Sequence, residues 1–424
     1  MKYDDITELI GDTPLLKIDE EVHGVRNLQL YVKMESMNPF GSLKDRVAWS
    51  LLEDDIEMIR EKDRKVVESS SGNTAKAIQG ITSSRGIDFR TIANRIKIDE
   101  VKDLLITMGT EIEELPGKSE CPDPNDPDDP LTYIDNLMEE KGNSYYRTGQ
   151  YTDEKNTEAH RENTGPEIME DLSQIDYFFG GLGTTGSTKG ITQAIRKRNP
   201  EVNTVGIVSS SNDFIPGIRT ENEMWEVGLY EKELYSDVLT VNSGKAIDAT
   251  LDLIRGSGLL SGPTTGAQLA AIRDYFPEEL EEEKTAVFLA CDRLEPYMSY
   301  FKKRRPELFG GEKQEIETTK EPDQITVDQA HQEFEDFTVV DIRSNPAYKA
   351  SHIPGSINIT GDRLKDILRT GNPFPNRKIL VVCPTGDESG KYAAMIDEKG
   401  GEAYNLENGI TEWRDSGKPL ENTF

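Results

Sequence analysis

Short runs of consecutive apolar residues alternate with longer stretches whose apolar positions recur every three or four residues, from Thr13 to about Lys303. LQLYVKM (Leu28–Met34) reads as a strand, and KDRVAWSLLEDDIEMI (Lys44–Ile59) as one amphipathic helix. KVVESSSGNTAKAIQGI runs strand, polar loop, helix, and DYFFGGL leads through the glycine-rich GTTGSTKG into the helical ITQAIRKR. TVGIVSS (Thr204–Ser210) and TAVFLAC (Thr285–Cys291) are further buried-strand candidates. This alternation predicts an α/β fold with functional groups gathered at the carboxyl ends of the strands. CPDPNDPDDP (Cys121–Pro130) is the clearest interruption, and its prolines, which exclude helix and central strand, make it a surface loop. Between Arg304 and Ile325 the pattern lapses into charged, glycine-containing sequence, and from about Thr326 it resumes on a smaller scale. There FTVVDIR and KILVVC read as strands and GKYAAMIDEK as a helix, with no internal repeat and no heptads along the chain.

Length and charge narrow the picture. A chain of 424 residues exceeds one ordinary domain, and the pattern divides it into a domain over 1–305, a linker over 306–324 and a second domain over 325–424. Lys and Arg number 49 against 79 Asp and Glu, a net charge of −30 whose field repels phosphate backbones, so nucleic acid is not expected as a partner. The acid excess fits either simple solubility or a salt-rich cytoplasm, where screening softens self-repulsion. No apolar run approaches the ~18 residues of a membrane span, and MKYDDITELIGDTP lacks the basic-then-apolar order of a secretory signal. Cys121, Cys291 and Cys383 are too few to staple such a chain and lack metal-ligand spacing. The expectation is a reduced, cytoplasmic protein without a metal site.

Four local motifs carry chemistry. Lys44 sits in NPFGSLKDR (Asn38–Arg46), a turn-rich loop feeding a helix, and SSGNT (Ser70–Thr74) follows the strand KVVES. GLGTTGS (Gly181–Ser187) places glycines between a strand and a helix, where exposed N–H groups and the helix start favour a phosphate dianion. It is neither a dinucleotide fingerprint nor a Walker loop. GPTTGA (Gly262–Ala267) comes last. Singly, these read as a solvated lysine and ordinary helix caps. Together and in this order they resemble the cysteine synthase family of fold-type II pyridoxal-phosphate enzymes, over roughly residues 5–300.

That resemblance implies two α/β subdomains with pyridoxal 5'-phosphate between them. It makes Lys44 the Schiff-base lysine, which then serves as base on the substrate Cα proton and later as acid. It assigns Asn73 to the cofactor's 3′ oxygen, and Gly183, Thr184, Thr185, Gly186 and Ser187 to its phosphate. Thr265 falls beside the pyridine nitrogen, where a neutral hydroxyl favours β-elimination over transamination. Ser70, Ser71, Gly72, Thr74 and Gln150 receive the substrate carboxylate. Thr185 stands where the family has glycine, and a β-branched residue there calls for negative φ. His160, in NTEAHRENTGPE, is assigned a structural role. The implied reaction is β-replacement on an activated serine through an aminoacrylate, with O-acetylserine and sulfide giving cysteine and acetate. Cysteine desulfhydrase and O-phosphoserine- or diaminopropionate-type synthase are the alternatives. ANRIK (Ala93–Lys97) and CDRLEPY (Cys291–Tyr297) depart from the family pattern, and Arg293 is either a contact for a phosphorylated or carboxylated substrate or a surface residue. Relatives are commonly homodimers, an expectation carried over with the rest.

VVDIR (Val339–Arg343), HIPGSINI (His352–Ile359), CPTGDES (Cys383–Ser389) and LENGITEW (Leu406–Trp413) resemble a single rhodanese domain. Cys383 ends a strand before a short loop at a helix start, whose N–H groups lower a thiol pKa and hold a persulfide. The family's usual arginine is replaced by Glu388, beside Asp387, which opposes anionic donors such as thiosulfate. Uptake of sulfur from a protein persulfide, with a sulfur-carrier protein as partner, and a degenerate binding role both remain open.

Overall fold

The computed structural model describes residues 2–94, 96–115, 129–210, 213–220, 224, 228–310, 322–343 and 345–422. The chain divides into two units, Met1–Gly311 and Glu312–Phe424.

The first unit holds two sheets. Six strands, β1 (Leu15–Ile18), β2 (Arg26–Lys33), β7 (Tyr177–Gly181), β8 (Asn203–Ser209), β9 (Asp237–Val241) and β10 (Glu279–Leu289), lie in the order β1-β2-β10-β7-β8-β9. All neighbours are parallel except β1 and β2. β10 shows how sequence sets depth: its acidic first half is largely exposed, whereas Ala286–Leu289 are buried at the sheet centre, Ala286 opposite Leu30 and Phe288 opposite Val32. Strands covered on both faces read as continuous apolar runs. The second sheet, β3 (Lys65–Ser69), β4 (Phe89–Ala93), β5 (Glu111–Glu114) and β6 (Tyr145–Arg147), runs β5-β4-β3-β6 and is wholly parallel. The helices Lys44–Leu52 and Asn73–Ser84 share its core through Ala48, Leu52, Ala75, Ile78 and Ile81.

The single helix expected over Lys44–Ile59 is two, Lys44–Leu52 and Ile56–Glu61. Glu53, Asp54 and Asp55 fall where the first helix exposes its carbonyl ends, the wrong charge for that terminus, and they interrupt it. Of the proline-rich segment only Asp129 and Pro130 lie among the described residues. They open the helix Pro130–Lys141, with the Asp129 carboxylate accepting the N–H groups of Leu131 at 2.9 Å and Thr132 at 3.1 Å.

The second unit is a parallel five-stranded sheet of β11 (Asp323–Ile325), β12 (Phe337–Asp341), β13 (Ile357–Asn358), β14 (Lys378–Val382) and β15 (Glu402–Leu406), in the order β11-β15-β14-β12-β13. Alternate residues of central β14 serve opposite cores: Ile379 and Val381 pack with Leu364 and Ile396, Leu380 and Val382 with Leu406 and Trp413. Among the described residues no helix is long and apolar enough to cross a membrane.

Candidate active site

In the first unit, loops leaving the carboxyl ends of strands from both sheets enclose a cavity of about 350 Å³. Lys44 reaches it from the start of its helix, Ser70–Thr74 from the end of β3, Gln150 from beyond β6, and Gly181, Gly183, Thr184 and Ser187 from the end of β7. Lys44 Nζ lies 3.1 Å from Thr184 Oγ1, which also accepts Asn156 Nδ2 at 2.9 Å. Burial pushes the Lys44 amine down to about 8, against the opposing pull of the Glu68 carboxylate. A lysine at that value holds about a tenth of its population as neutral amine at pH 7, where an unshifted lysine holds almost none.

The loop after β3 is braced from below. Glu68 is buried, which raises its carboxyl pKa, yet its oxygens are engaged: Oε2 accepts Thr148 Oγ1 at 2.6 Å and the Gln150 N–H at 3.0 Å, and Oε1 the Ser69 N–H at 2.8 Å. Gln150 in turn donates to Ser69 O at 2.8 Å and accepts the Thr74 hydroxyl at 2.7 Å. Ser70 Oγ takes the Ala75 N–H at 3.1 Å, while Ser71 is left exposed at the cavity wall. Asn73 donates to Asp292 Oδ2 at 2.7 Å, and Tyr297 donates to the same oxygen. Burial raises the Asp292 carboxyl, and its Oδ1 has no hydrogen-bond partner among the described residues.

A second brace fixes the lysine loop. Arg46 bonds Glu35 (Nε–Oε2 2.8 Å) and Glu167 (Nη1–Oε1 2.6 Å), and Lys33 pairs with Glu167 at 2.7 Å. These partners hold the Glu167 carboxyl down at about 2, although its burial works the other way. Two cations and two anions balance, so the buried cluster carries no net charge.

The Gly181–Ser187 loop is packed so closely that glycine is required at particular points. A Cβ on Gly183 would lie 2.7 Å from Gly217 O, and one on Gly186 2.2 Å from Asn156 Oδ1. The helix Gly186–Arg196 that follows has no side-chain cap from Thr185, its N-cap residue, so its first amides can bind an anion. Thr185 departs from expectation: its φ is +63°, left-handed rather than negative. The loop keeps the shape that a glycine would give it and imposes that shape on threonine, whose buried hydroxyl has no partner among the described residues.

In the second unit, Cys383 follows β14 and is buried. Its Sγ faces the Gly386 N–H at 3.1 Å, the Ser389 N–H at 3.4 Å and Ser389 Oγ at 3.1 Å. Ser389 Oγ also lies 2.6 Å from Asn405 Oδ1, whose amide nitrogen is committed to Gly386 O at 2.9 Å and Gln324 Oε1 at 2.8 Å. One hydroxyl has one proton. In the thiol state it goes to Asn405 and Cys383 donates to Ser389; a thiolate would draw it back. Glu388 is exposed.

Residues 6–292 match the family described as "Pyridoxal-phosphate dependent enzyme". The chain belongs to that family. Its C-terminal part, residues 326–416, is a rhodanese-like domain. The pyridoxal-phosphate domain is 27% identical over 312 residues to a cysteine synthase of Staphylococcus aureus, covering 70% of this chain and 96% of that one. It is 29% identical over 305 residues to cysteine synthase B of Pseudomonas aeruginosa, covering 70% and 97%. Among solved structures it superposes with a TM-score of 0.63 on a hydrogen sulfide-producing enzyme from Fusobacterium nucleatum, 26% identical, covering 70% of this chain and 100% of that one. The protein is thus a fold-type II pyridoxal-phosphate-dependent enzyme similar to β-replacement enzymes.

The residues of the pyridoxal-phosphate domain fit the cofactor. A primary amine of lowered basicity meets an aldehyde, an uncapped helix start meets a phosphate, and the buried Thr185 hydroxyl lacks a partner among the described residues. Lys44, Ser70, Ser71, Gly72, Asn73, Thr74 and Gln150 all line the cavity, as do Gly183, Thr184 and Ser187, whereas Thr185 and Gly186 do not reach its wall. Thr265 is also removed from the wall, its hydroxyl accepting the Cys291 N–H at 3.2 Å; neighbouring Thr264 lines the cavity. His160 is buried, with Nδ1 2.9 Å from Thr164 Oγ1 and its pKa held well down by burial, which suits a structural neutral imidazole. Arg293 donates to Ser36 O at 3.0 Å and Asn38 O at 3.2 Å, bracing the lysine loop rather than facing the cavity.

The sequence assigned no site role to Glu68, Asn156, Cys291, Asp292, Lys97 or Arg219, although Asn156, Cys291, Asp292 and Lys97 lie in the quoted stretches NTEAHRENTGPE, CDRLEPY and ANRIK. Cys291 and Asp292 follow β10, and the rule that parallel strands present function at their carboxyl ends would have flagged them. In the second unit Ser389 lay in a quoted motif and Asn405 in none.

Proposed function

We propose that the first unit catalyses β-replacement on a serine activated at its β-oxygen, with O-acetylserine and sulfide giving L-cysteine and acetate as the reference reaction. The observation that supports this most strongly is the position of Lys44 Nζ, on one cavity wall with the Ser70–Thr74 loop and tied at 3.1 Å to Thr184 of the glycine loop. Pyridoxal phosphate, when bound, supplies the electron sink for the pair released from Cα. Lys44 takes the Cα proton and returns it after the nucleophile adds. The Ser70–Thr74 loop and Gln150, held from beneath by Glu68, bind and orient the α-carboxylate. Asn73 serves the cofactor's ring, Thr265 supports that site from behind the wall that Thr264 lines, and the Gly183–Ser187 loop serves its phosphate. In the second unit Cys383 handles persulfide sulfur, with a thiol reductant releasing sulfide and a sulfur-carrier protein as donor. The reading carries with it a cytoplasmic homodimer.

The test is cysteine and acetate formation by the purified chain. Lys44→Ala should lower the rate by about 10²–10⁴-fold, the usual worth of a positioned acid–base group, with circular dichroism unchanged. Faster breakdown of cysteine to pyruvate, ammonia and sulfide than synthesis would replace this reading with a desulfhydrase. Supplying a persulfide and a thiol in place of sulfide, Cys383→Ser should slow cysteine formation; equal rates would remove Cys383 from the reaction.

A further inference from the structure

Asn156 and Thr184 stand between the Lys44 amine and the residues that face the substrate carboxylate. Asn156 is wholly buried on the helix Lys155–Ala159. Its amide meets the Gln150 carbonyl at 2.7 Å, and a carbonyl only accepts, so the amide nitrogen must face that way. The same nitrogen lies 2.9 Å from Thr184 Oγ1. Both amide hydrogens are thereby committed. One holds the main chain of Gln150, and the other holds the hydroxyl that meets Lys44 Nζ at 3.1 Å. On its other side Asn156 Oδ1 is pressed against Gly186, where a Cβ would come within 2.2 Å.

A hydroxyl has two lone pairs and one proton. Asn156 occupies one lone pair of Thr184. What remains is a lone pair for the N–H of a lysine ammonium, and a proton for the lone pair of a neutral amine. Thr184 therefore holds Nζ in either protonation state, and Asn156 fixes the direction in which it does so. The helix that carries Asn156 is itself tied to the helix that carries Lys44: Ser50 Oγ donates to Lys155 O at 3.1 Å, and Lys155 Nζ pairs with Asp54 at 3.0 Å. The helix Gly186–Arg196 closes on it as well, since a Cβ on Gly190 would lie 2.3 Å from Thr157 O. Amine, hydroxyl and amide thus form a chain whose two ends are anchored in packed helices.

We infer that Asn156 and Thr184 are positioning residues for the Lys44 amine, keeping Nζ at a set reach from the Ser70–Thr74 loop through both of its protonation states. This placement rests on the β-replacement reading and describes how its base is held. The proton moves from Cα to Nζ and later back, so the amine gains and loses a charge within one turnover. A lysine side chain is a flexible four-carbon stem, and a base displaced by about 1 Å loses up to about 10²-fold in rate. Holding Nζ through a hydroxyl that serves as acceptor or donor keeps the base in place while its charge changes. Because Asn156 also holds the carbonyl of Gln150, a single side chain sets the distance between the amine and the group assigned to the α-carboxylate.

The experiment separates the amine from the phosphate site by using pyridoxal, which carries the aldehyde and no phosphate. Cofactor-free full-length chain is mixed with pyridoxal at about pH 9, where the buried amine is mostly neutral. The Lys44 nitrogen joins the aldehyde carbon with loss of one water, followed by absorbance. Thr184→Val and Asn156→Ala should each slow this reaction by about 10-fold, and Thr184→Ser, which keeps the hydroxyl, should stay within about threefold of wild type. In the loaded enzyme Thr184→Val should lower kcat by about 10–100-fold with KM for the amino acid within about threefold, whereas Asn156→Ala lowers kcat and raises KM together. Slowing with pyridoxal phosphate but wild-type rates with pyridoxal would give Thr184 to the phosphate alone and overturn the inference. A rise in KM at unchanged kcat in both variants would overturn it too, leaving the pair to the carboxylate loop. Wild type that shows the expected pyridoxal pattern yet makes no cysteine would instead sink the β-replacement reading and leave the placement of the amine standing.

Discussion

Lys44 is at once a helix residue and a cavity residue, and the two surroundings act on its amine in opposite directions. Burial withdraws the proton, the Glu68 carboxylate retains it, and the balance leaves the amine at about 8 against 10.5 for a free lysine. Only the neutral amine attacks an aldehyde. The rate at which cofactor-free protein takes up pyridoxal phosphate should therefore rise with pH through about 8 and level off above it, followed by the absorbance of the bound cofactor. A rise that continues toward pH 10 would show an unshifted lysine. Glu68 acts on the substrate side through Gln150. Glu68→Ala, leaving the Thr148 hydroxyl and Gln150 N–H without their acceptor, should raise KM for the amino acid by about 10-fold, in line with the ~1–3 kcal/mol of a stranded buried donor, while Glu68→Gln recovers part of it. Equal kcat and KM effects in both variants would reduce Glu68 to a packing residue.

The glycine loop between β7 and the helix Gly186–Arg196 is the element on which sequence and structure differ most. The loop requires a left-handed residue where the sequence has threonine, φ +63° at Thr185. A non-glycine residue pays about 1–2 kcal/mol there, and part of that is returned by the lower entropy of the unfolded threonine chain. Thr185→Gly should stabilise the protein by about 1 kcal/mol, read as a higher denaturant midpoint at unchanged m-value; a destabilised variant would mean that the threonine makes contacts worth more than its strain. The motifs that sequence made legible are contiguous ones: Lys44 in its loop, Ser70–Thr74, and Gly181–Ser187 each carry their geometry within a few residues. Lys97 and Arg219 were opaque because separate strand ends bring them to the cavity, and their local surroundings in the chain contain no recurring spacing, whereas Asp292 was within reach of the strand-end rule. The break between Leu52 and Ile56 was hidden for a different reason, since apolar periodicity runs on through three acidic residues whose charge, not their pattern, ends the helix.

Across the whole molecule the contacts separate Met1–Gly311 from Glu312–Phe424, and each unit repeats a strand–helix alternation around its own core. The net charge of −30 belongs to this scale. Repulsion among surface carboxylates falls as the screening length shortens from about 10 Å at 0.1 M salt to about 3 Å at 1 M. The thermal midpoint should therefore climb between 0.1 and 2 M KCl in scanning calorimetry, and a flat or falling midpoint would leave the acid excess to solubility alone.

The loop carrying Cys383 is tied to the start of the helix Gly409–Asp415. The N–H of Ile410 donates to Cys383 O at 3.0 Å, and Thr411 holds Pro384 O through its N–H at 3.2 Å and its hydroxyl at 2.8 Å. Gly409 permits the approach, since a Cβ there would lie 2.2 Å from Cys383 O. Amide hydrogen exchange at Ile410 and Thr411 is thus a stopwatch for the sulfur site: their protons can leave only when the cysteine loop lifts, so their exchange rates time its opening without a label on the cysteine itself.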